Sequence, residues 1–279
     1  MTRTLDPSPW LSERTLAITG SKGGVGKSNL VVNLAVALGR MDRRVVIVDG
    51  DLGLANLDVL LGLTPGKTVE HLLNGSADPE ELLIKGPAGI RILPAASGLP
   101  QLSRLDPQQR ERLCLALGRI ARSADDVLID TGAGLGQATL SLQLAASRVI
   151  VVTTPEPTSL VDAYASIKVL WDADPDKRID LVVNSVSDER EAEKIHRQLS
   201  KACRHFLAND LGWIGPVFYD PEVGRAVRRQ QALIELQSHS PAARCYERIA
   251  MRLSMEKEAF SRSADPLTAS RLTNEERFH

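Results

Sequence analysis

The sequence predicts an α/β fold: a doubly wound, mostly parallel sheet of seven to eight strands with helices on both faces. Three observations predict it. Short runs dense in Val and Ile recur along the chain and end in Gly, Asp, Asn or Pro, as parallel strands buried on both faces do. The stretches between them carry apolar residues at helical spacing. The alternation continues over roughly 240 residues, which points to a doubly wound sheet.

The expected strands are 15–19, 44–48, 90–93, 127–129, 148–153, 179–183 and 213–217. Four helices are expected. In 28–39, Val31, Leu34, Ala35 and Leu38 share a face. In 107–121 the stripe is Leu113, Leu117 and Ile120. In 158–171 it is Leu160, Ala163, Ile167 and Leu170, with Thr158 or Ser159 as the cap. In 241–253 it is Cys245, Ile249 and Leu253. Residues 1–13, with Pro7 and Pro9, read as a flexible arm, 14–255 as the folded domain, and 256–279 as a polar, disordered tail.

Composition narrows the function. Of the 279 residues, 34 are Lys or Arg and 35 are Asp or Glu, a net charge of -1. That excludes a strongly basic nucleic-acid binder and leaves only local patches such as Arg225, Arg228 and Arg229. No apolar run approaches the ~18–20 residues that span a bilayer, and residues 1–15 lack the apolar segment of a secretory signal. Cys114, Cys203 and Cys245 lie far apart, so a disulfide framework is excluded and a reducing cytoplasm is expected. Cys203 with His196 and His205 fits no closed zinc spacing.

The strongest local signal is Gly20-Ser21-Lys22-Gly23-Gly24-Val25-Gly26-Lys27-Ser28, between the first strand and the first helix. Glycines let backbone N–H groups turn inward around phosphate oxygens. The helix start adds partial positive charge at the same place. Lys27 is expected on the β/γ-phosphates and the Ser28 hydroxyl on Mg²⁺, with Ser21, Gly23, Gly24, Val25, Gly26 and Asn29 completing the cradle. Asp49 and Asp51 follow the second strand, where ligands sit in such sheets. Asp51 is expected to polarise the attacking water and to reach Mg²⁺ through water, and Asp49 to be a supporting group. Asp130, after the strand 127–129, is placed to hold Mg²⁺, and Gly132 and Gly134 permit a mobile loop behind it. Asn184, at the end of 179–183, is placed to bond an adenine edge. The guanine-reading Asn-Lys-x-Asp pattern is absent, so ATP is expected over GTP.

Lys22 departs from a plain phosphate loop. With it, the segment resembles the deviant Walker A motif, x-K-G-G-x-G-K-[ST], of the MinD/ParA family, within the SIMIBI class of phosphate-loop nucleotide-binding proteins. The resemblance implies that Lys22 reaches the nucleotide of a second subunit, so that Lys22, Lys27 and Asp51 act in catalysis in an ATP-bound homodimer. It also implies that the region of Pro216, Phe218 and Tyr219 encloses the base. Where that family usually writes Asp-Thr-Pro-Ala-Gly, this chain has Asp130-Thr131-Gly132-Ala133-Gly134. Four strings look like the flagellar-number (FlhG) branch: 51–58, 60–65, 155–165 and 220–230.

That resemblance implies a slow ATPase switch controlling flagellar number or placement. The implied partners are an FlhF-like GTPase, a basal-body component or a transcription regulator. The branch often carries an Asp-Gln-Ala-x-x-Leu-Arg helix that residues 1–14 lack. Arg248, Ile249, Arg252 and Leu253 offer a fragment of an amphipathic face, hence an expected weak peripheral contact at the inner face of the cell membrane. Two alternatives stand beside this reading: a spatial regulator of another cargo, such as a chromosome or plasmid, and a scaffold that binds nucleotide without turning it over.

Overall fold

The computed structural model describes residues 15–20, 22–51, 56–95, 106–134 and 136–263. Its centre is one eight-stranded sheet. The strands are β1 (Thr15–Thr19), β2 (Val45–Gly50), β3 (Ile84–Lys85), β4 (Arg91–Leu93), β5 (Asp126–Thr131), β6 (Arg148–Thr153), β7 (Arg178–Val186) and β8 (Gly212–Phe218). Their order is β3-β4-β2-β5-β1-β6-β7-β8. All pairings are parallel except β3 with β4. The Val/Ile runs behave as expected: β1, β2, β5 and β6 are buried at every position, because helices cover both faces.

The helices are α1 (Lys27–Gly39), α2 (Leu57–Leu60), α3 (Val69–Leu73), α4 (Pro107–Arg122), α5 (Gln137–Ala145), α6 (Pro157–Ala173), α7 (Glu189–Leu207), α8 (Pro221–Arg228), α9 (Leu233–Leu236) and α10 (Pro241–Ser263). One sheet face packs against α1, α8, α9 and α10, and the other against α3, α4, α6 and α7. α1 departs from its expected single stripe. Leu30, Val32, Asn33 and Val36 are buried as well, because α10 lies along the side of α1 that the sheet leaves uncovered. Buried Asn33 is satisfied: its amide donates to Asn29 O (2.8 Å) and its oxygen accepts from Ile234 N (3.0 Å).

Two local expectations are corrected, and one long helix stands outside those expected. α6 is capped two or three residues before the expected position: Glu156, not Thr158 or Ser159, is its N-cap and Pro157 its first residue. Ser159 turns inward, its hydroxyl 3.0 Å from that of Thr153 and accepting from Thr154 N at 3.1 Å. α10 runs through Glu256 to Ser263, past the expected boundary at 255, because Glu256 is tied to Arg148 (2.9 Å) and Arg178 (2.5 Å) at the starts of β6 and β7. Finally, α7 is a long helix whose stripe of Ala192, Ile195, Leu199 and Cys203 is buried. Burial pushes the Cys203 thiol up to about 11, while His196 bonds Leu211 O and Ser200, and His205 lies against Phe206.

Candidate functional site

β1 hands the chain to the glycine-rich loop at the C-terminal edge of the sheet, between β5 and β6. Gly24 and Gly26 have φ of 81° and 93°, left-handed values that cost a side-chain-bearing residue free energy. At Gly26 a Cβ would also strike the Asn184 amide. That amide donates to Val25 O at 2.8 Å, so Asn184 braces the loop from the end of β7. Its register against β8 shifts there, and Ser185 takes φ 59°, the mark of a bulge that re-aims a side chain.

Lys27 opens α1 with its side chain mostly buried, its ammonium donating to Lys22 O at 3.3 Å. Burial lowers its pKa, while Asp130 and Asp51 raise it. Asp130 is 4% exposed. Ser28 donates to its carboxylate, yet Oδ1 is buried with no hydrogen-bond partner. Burial pushes this carboxyl up to about 6 against the pull of Ser28 and Lys27. Its neighbour across the β2–β5 ladder is Asp49, which burial and Asp130 push up to about 7. Asp51 lies over the chain beyond β5, where a Cβ on Gly132 would come within 3.2 Å of its Cγ.

Lys22 is exposed and leans toward the start of α6. Its Nζ donates to Glu156 Oε2 (2.6 Å) and lies 3.5 Å from Thr158 Oγ1. Sequence reasoning missed Glu156 as a partner. The one available signal was an acid at a helix start facing the same strand end.

The structure thus gathers Lys27, Ser28, Asp49, Asp51 and Asp130 at one strand edge, with Lys22 on its rim. Ser21 lies outside the described residues. Gly23 and Gly24 have open space beside their α-carbons. Val25 is in the core, leaving its main chain to the loop, and Asn29 sits half-buried on the first turn of α1. Tyr219 is exposed at the end of β8, whereas Pro216 is buried within that strand and Phe218 is half-buried under Arg248.

These residues fit a magnesium–nucleotide. An orphaned carboxylate oxygen beside a hydroxyl suits a hard cation, and a buried ammonium under open backbone suits phosphate. Among the described residues no three His, Cys, Asp or Glu side chains gather as a closed metal site. Magnesium needs none, because it takes few protein ligands and keeps phosphate and water oxygens.

The CobQ/CobB/MinD/ParA nucleotide binding domain family matches residues 16–234. The chain belongs to that family. Within it, this MinD/ParA-type protein is 40% identical over 240 residues to the antiactivator FleN of Pseudomonas aeruginosa, covering 86% of each chain. It is 31% identical over 236 residues to the flagellum site-determining protein YlxH of Helicobacter pylori, covering 84% of this chain and 80% of YlxH. The septum site-determining protein MinD of Pyrococcus horikoshii, solved with Mg-ADP, superposes with a TM-score of 0.73 at 27% identity, covering 86% of this chain and 95% of that one. Among the described residues no helix is long and apolar enough to cross a membrane.

Proposed function

We propose that this MinD/ParA-type protein is an ATP-dependent dimerising switch that hydrolyses ATP slowly and controls flagellar number or placement. One observation carries the ATPase reading: at the strand edge, buried Asp130 has an oxygen without a partner next to Ser28 and a buried Lys27. The FleN and YlxH likenesses support the flagellar role. The partners would be an FlhF-like GTPase, a basal-body component or a transcription regulator, in the cytoplasm or peripherally at the membrane.

The chain's own groups divide the work. The N–H groups of 23–28 and the Lys27 ammonium hold the β- and γ-phosphates. Ser28 and Asp130 would hold Mg²⁺, with the Asp51 carboxylate beside them to reach it through water. Bound there, Mg²⁺ would neutralise charge on the phosphate oxygens. Asp51 orients water for attack on the γ-phosphate. Asn184 keeps its amide oxygen for the adenine edge, and Tyr219 offers an exposed ring beside the base.

Lys22 makes the nucleotide a switch. In one protomer it rests on Glu156 and Thr158, an exposed pair worth at most about 1 kcal/mol. Exchanging that contact for the phosphates of a second copy favours the dimer, because the dimer alone supplies the second cation.

Sedimentation with a non-hydrolysable ATP analogue tests this. Wild type forms a dimer, and Lys22→Ala binds the analogue but stays monomeric. A Lys22→Ala dimer would remove the switch. An unchanged flagellar count after gene deletion would instead favour another cargo.

A further inference from the structure

We infer that Asp49 is a positioning residue for hydrolysis: its buried carboxylate ties together the two ends of the segment 51–57 and so sets where Asp51 stands. The inference rests on the reading above, in which Asp51 orients the attacking water.

Asp49 is 2% exposed, one residue before the end of β2. Its Oδ1 accepts the N–H of Asp51 at 3.1 Å. Its Oδ2 accepts the N–H of Asn56 at 3.2 Å and of Leu57 at 3.4 Å. One carboxyl group, with two oxygens to accept, thus collects three main-chain donors, two of them from beyond position 55. An asparagine of the same shape has one oxygen and would turn an NH₂ toward N–H donors.

The position is costly for packing alone. Asp49 faces Asp130 across the β2–β5 ladder, so two carboxylates share a buried edge. An apolar residue would fill the space without that repulsion. What the carboxylate adds is the hold on Asp51 and on the start of α2.

Asp51 is located from a second side as well. Its carboxylate lies on the main chain at Gly132, where a Cβ would meet Cγ at 3.2 Å and the two oxygens at 3.3 and 3.4 Å. Those separations are tight enough that any side chain there would push the carboxylate by a few tenths of an ångström. Asp49 fixes the Asp51 main chain, and the bare backbone at Gly132 gives the side chain its seat. A group that orients water tolerates little displacement: misplacement of about 1 Å can cost about 100-fold in rate.

The experiment is steady-state ATP hydrolysis by the full chain, arranged as a double-mutant cycle. Asp49→Asn is expected to lower kcat roughly 10- to 100-fold with KM for ATP changed less than about threefold. On an Asp51→Asn background, Asp49→Asn is expected to add no further loss, because it acts through Asp51. Gly132→Ala leaves Asp49 intact and is the second variant should Asp49→Asn not fold. It is expected to lower kcat by about three- to tenfold with KM unchanged.

Three results would overturn the inference: an Asp49→Asn kcat within twofold of wild type, losses that multiply in the double variant, or a Gly132→Ala kcat equal to wild type where Asp49→Asn does not fold. Full activity in Asp51→Asn would bring down the water-orienting role itself, and this inference with it. An inactive Asp51→Asn beside a fully active Asp49→Asn would bring down this inference alone.

Discussion

The two edges of the sheet treat buried charge in opposite ways. At the edge where the strands begin, the buried charges have counter-ions, although Arg148 Nη2 is itself buried without a hydrogen-bond partner. Arg43 pairs with Asp126, and Arg148 with Asp180. Glu256 of α10 joins Arg148 at 2.9 Å and Arg178 at 2.5 Å. At the edge where the strands end, Asp49, Asp130 and Lys27 are buried with the balance incomplete, and Asp130 keeps an oxygen without a partner. β5 carries both cases on one face, Asp126 near its start and Asp130 near its end. The strand therefore does not decide what becomes of a buried carboxylate. What decides is whether the fold brings a counter-ion or leaves that to a ligand.

Removing a counter-ion from the matched edge gives the largest expected effect. Arg148→Met leaves buried Asp180 to the more distant, exposed Arg178, 3.6 Å away, and is expected to cost about 3–5 kcal/mol in urea unfolding. Adding Asp180→Leu is expected to restore most of it. A small cost for Arg148→Met would mean that the beginning edge is no better matched than the ending one.

The unmatched edge predicts the reverse sign. Asp130→Asn removes a charge the free protein stabilises poorly, so its melting temperature is expected to rise, by about 2–4 °C if ~1 kcal/mol is recovered. The extra rise that Mg²⁺ adds over nucleotide alone in wild type is expected to vanish. A variant that melts lower and still responds to Mg²⁺ would show that Asp130 is paid for within the fold.

The smallest effect is expected at an exposed pair on the beginning edge. The Arg44 guanidinium meets Asp125 at 2.8 and 3.1 Å and holds that carboxyl well below the usual carboxylate range. A depressed pKa stabilises the fold above the unfolded value, about 3.9, and the benefit is lost as pH falls toward the folded one. Asp125→Asn should therefore cost at most about 1 kcal/mol at pH 7. The gap should narrow below about pH 4, as urea titrations at pH 7 and 3.5 would report.

Sequence reasoning succeeded where burial is complete and local. The runs 15–19 and 148–153 coincide with β1 and β6, because a strand covered on both faces is apolar throughout. β3 is two residues long and one of them is exposed, which leaves no pattern to read. α7 was readable: its stripe at 192, 195, 199 and 203 has helical spacing, but dense charge around it conceals so narrow a face. In the site, the Gly24–Ser28 loop and the carboxylates at 51 and 130 follow from motif and strand ends. The three amides on Asp49, the grip of Asn184 on Val25 and the rest of Lys22 against Glu156 do not. Each joins segments whose approach depends on the path of the chain between them.

The anchoring of Glu256 has a practical consequence. β1 starts at Thr15 and Glu256 of α10 reaches the starts of β6 and β7, so Thr15 and Glu256 both lie at the edge opposite the glycine-rich loop. A fluorophore attached beside either of these residues stands about a strand length from the loop, roughly 17–20 Å. If two copies meet loop to loop, such labels point to opposite poles of the pair, and energy transfer between them reports assembly without obstructing it.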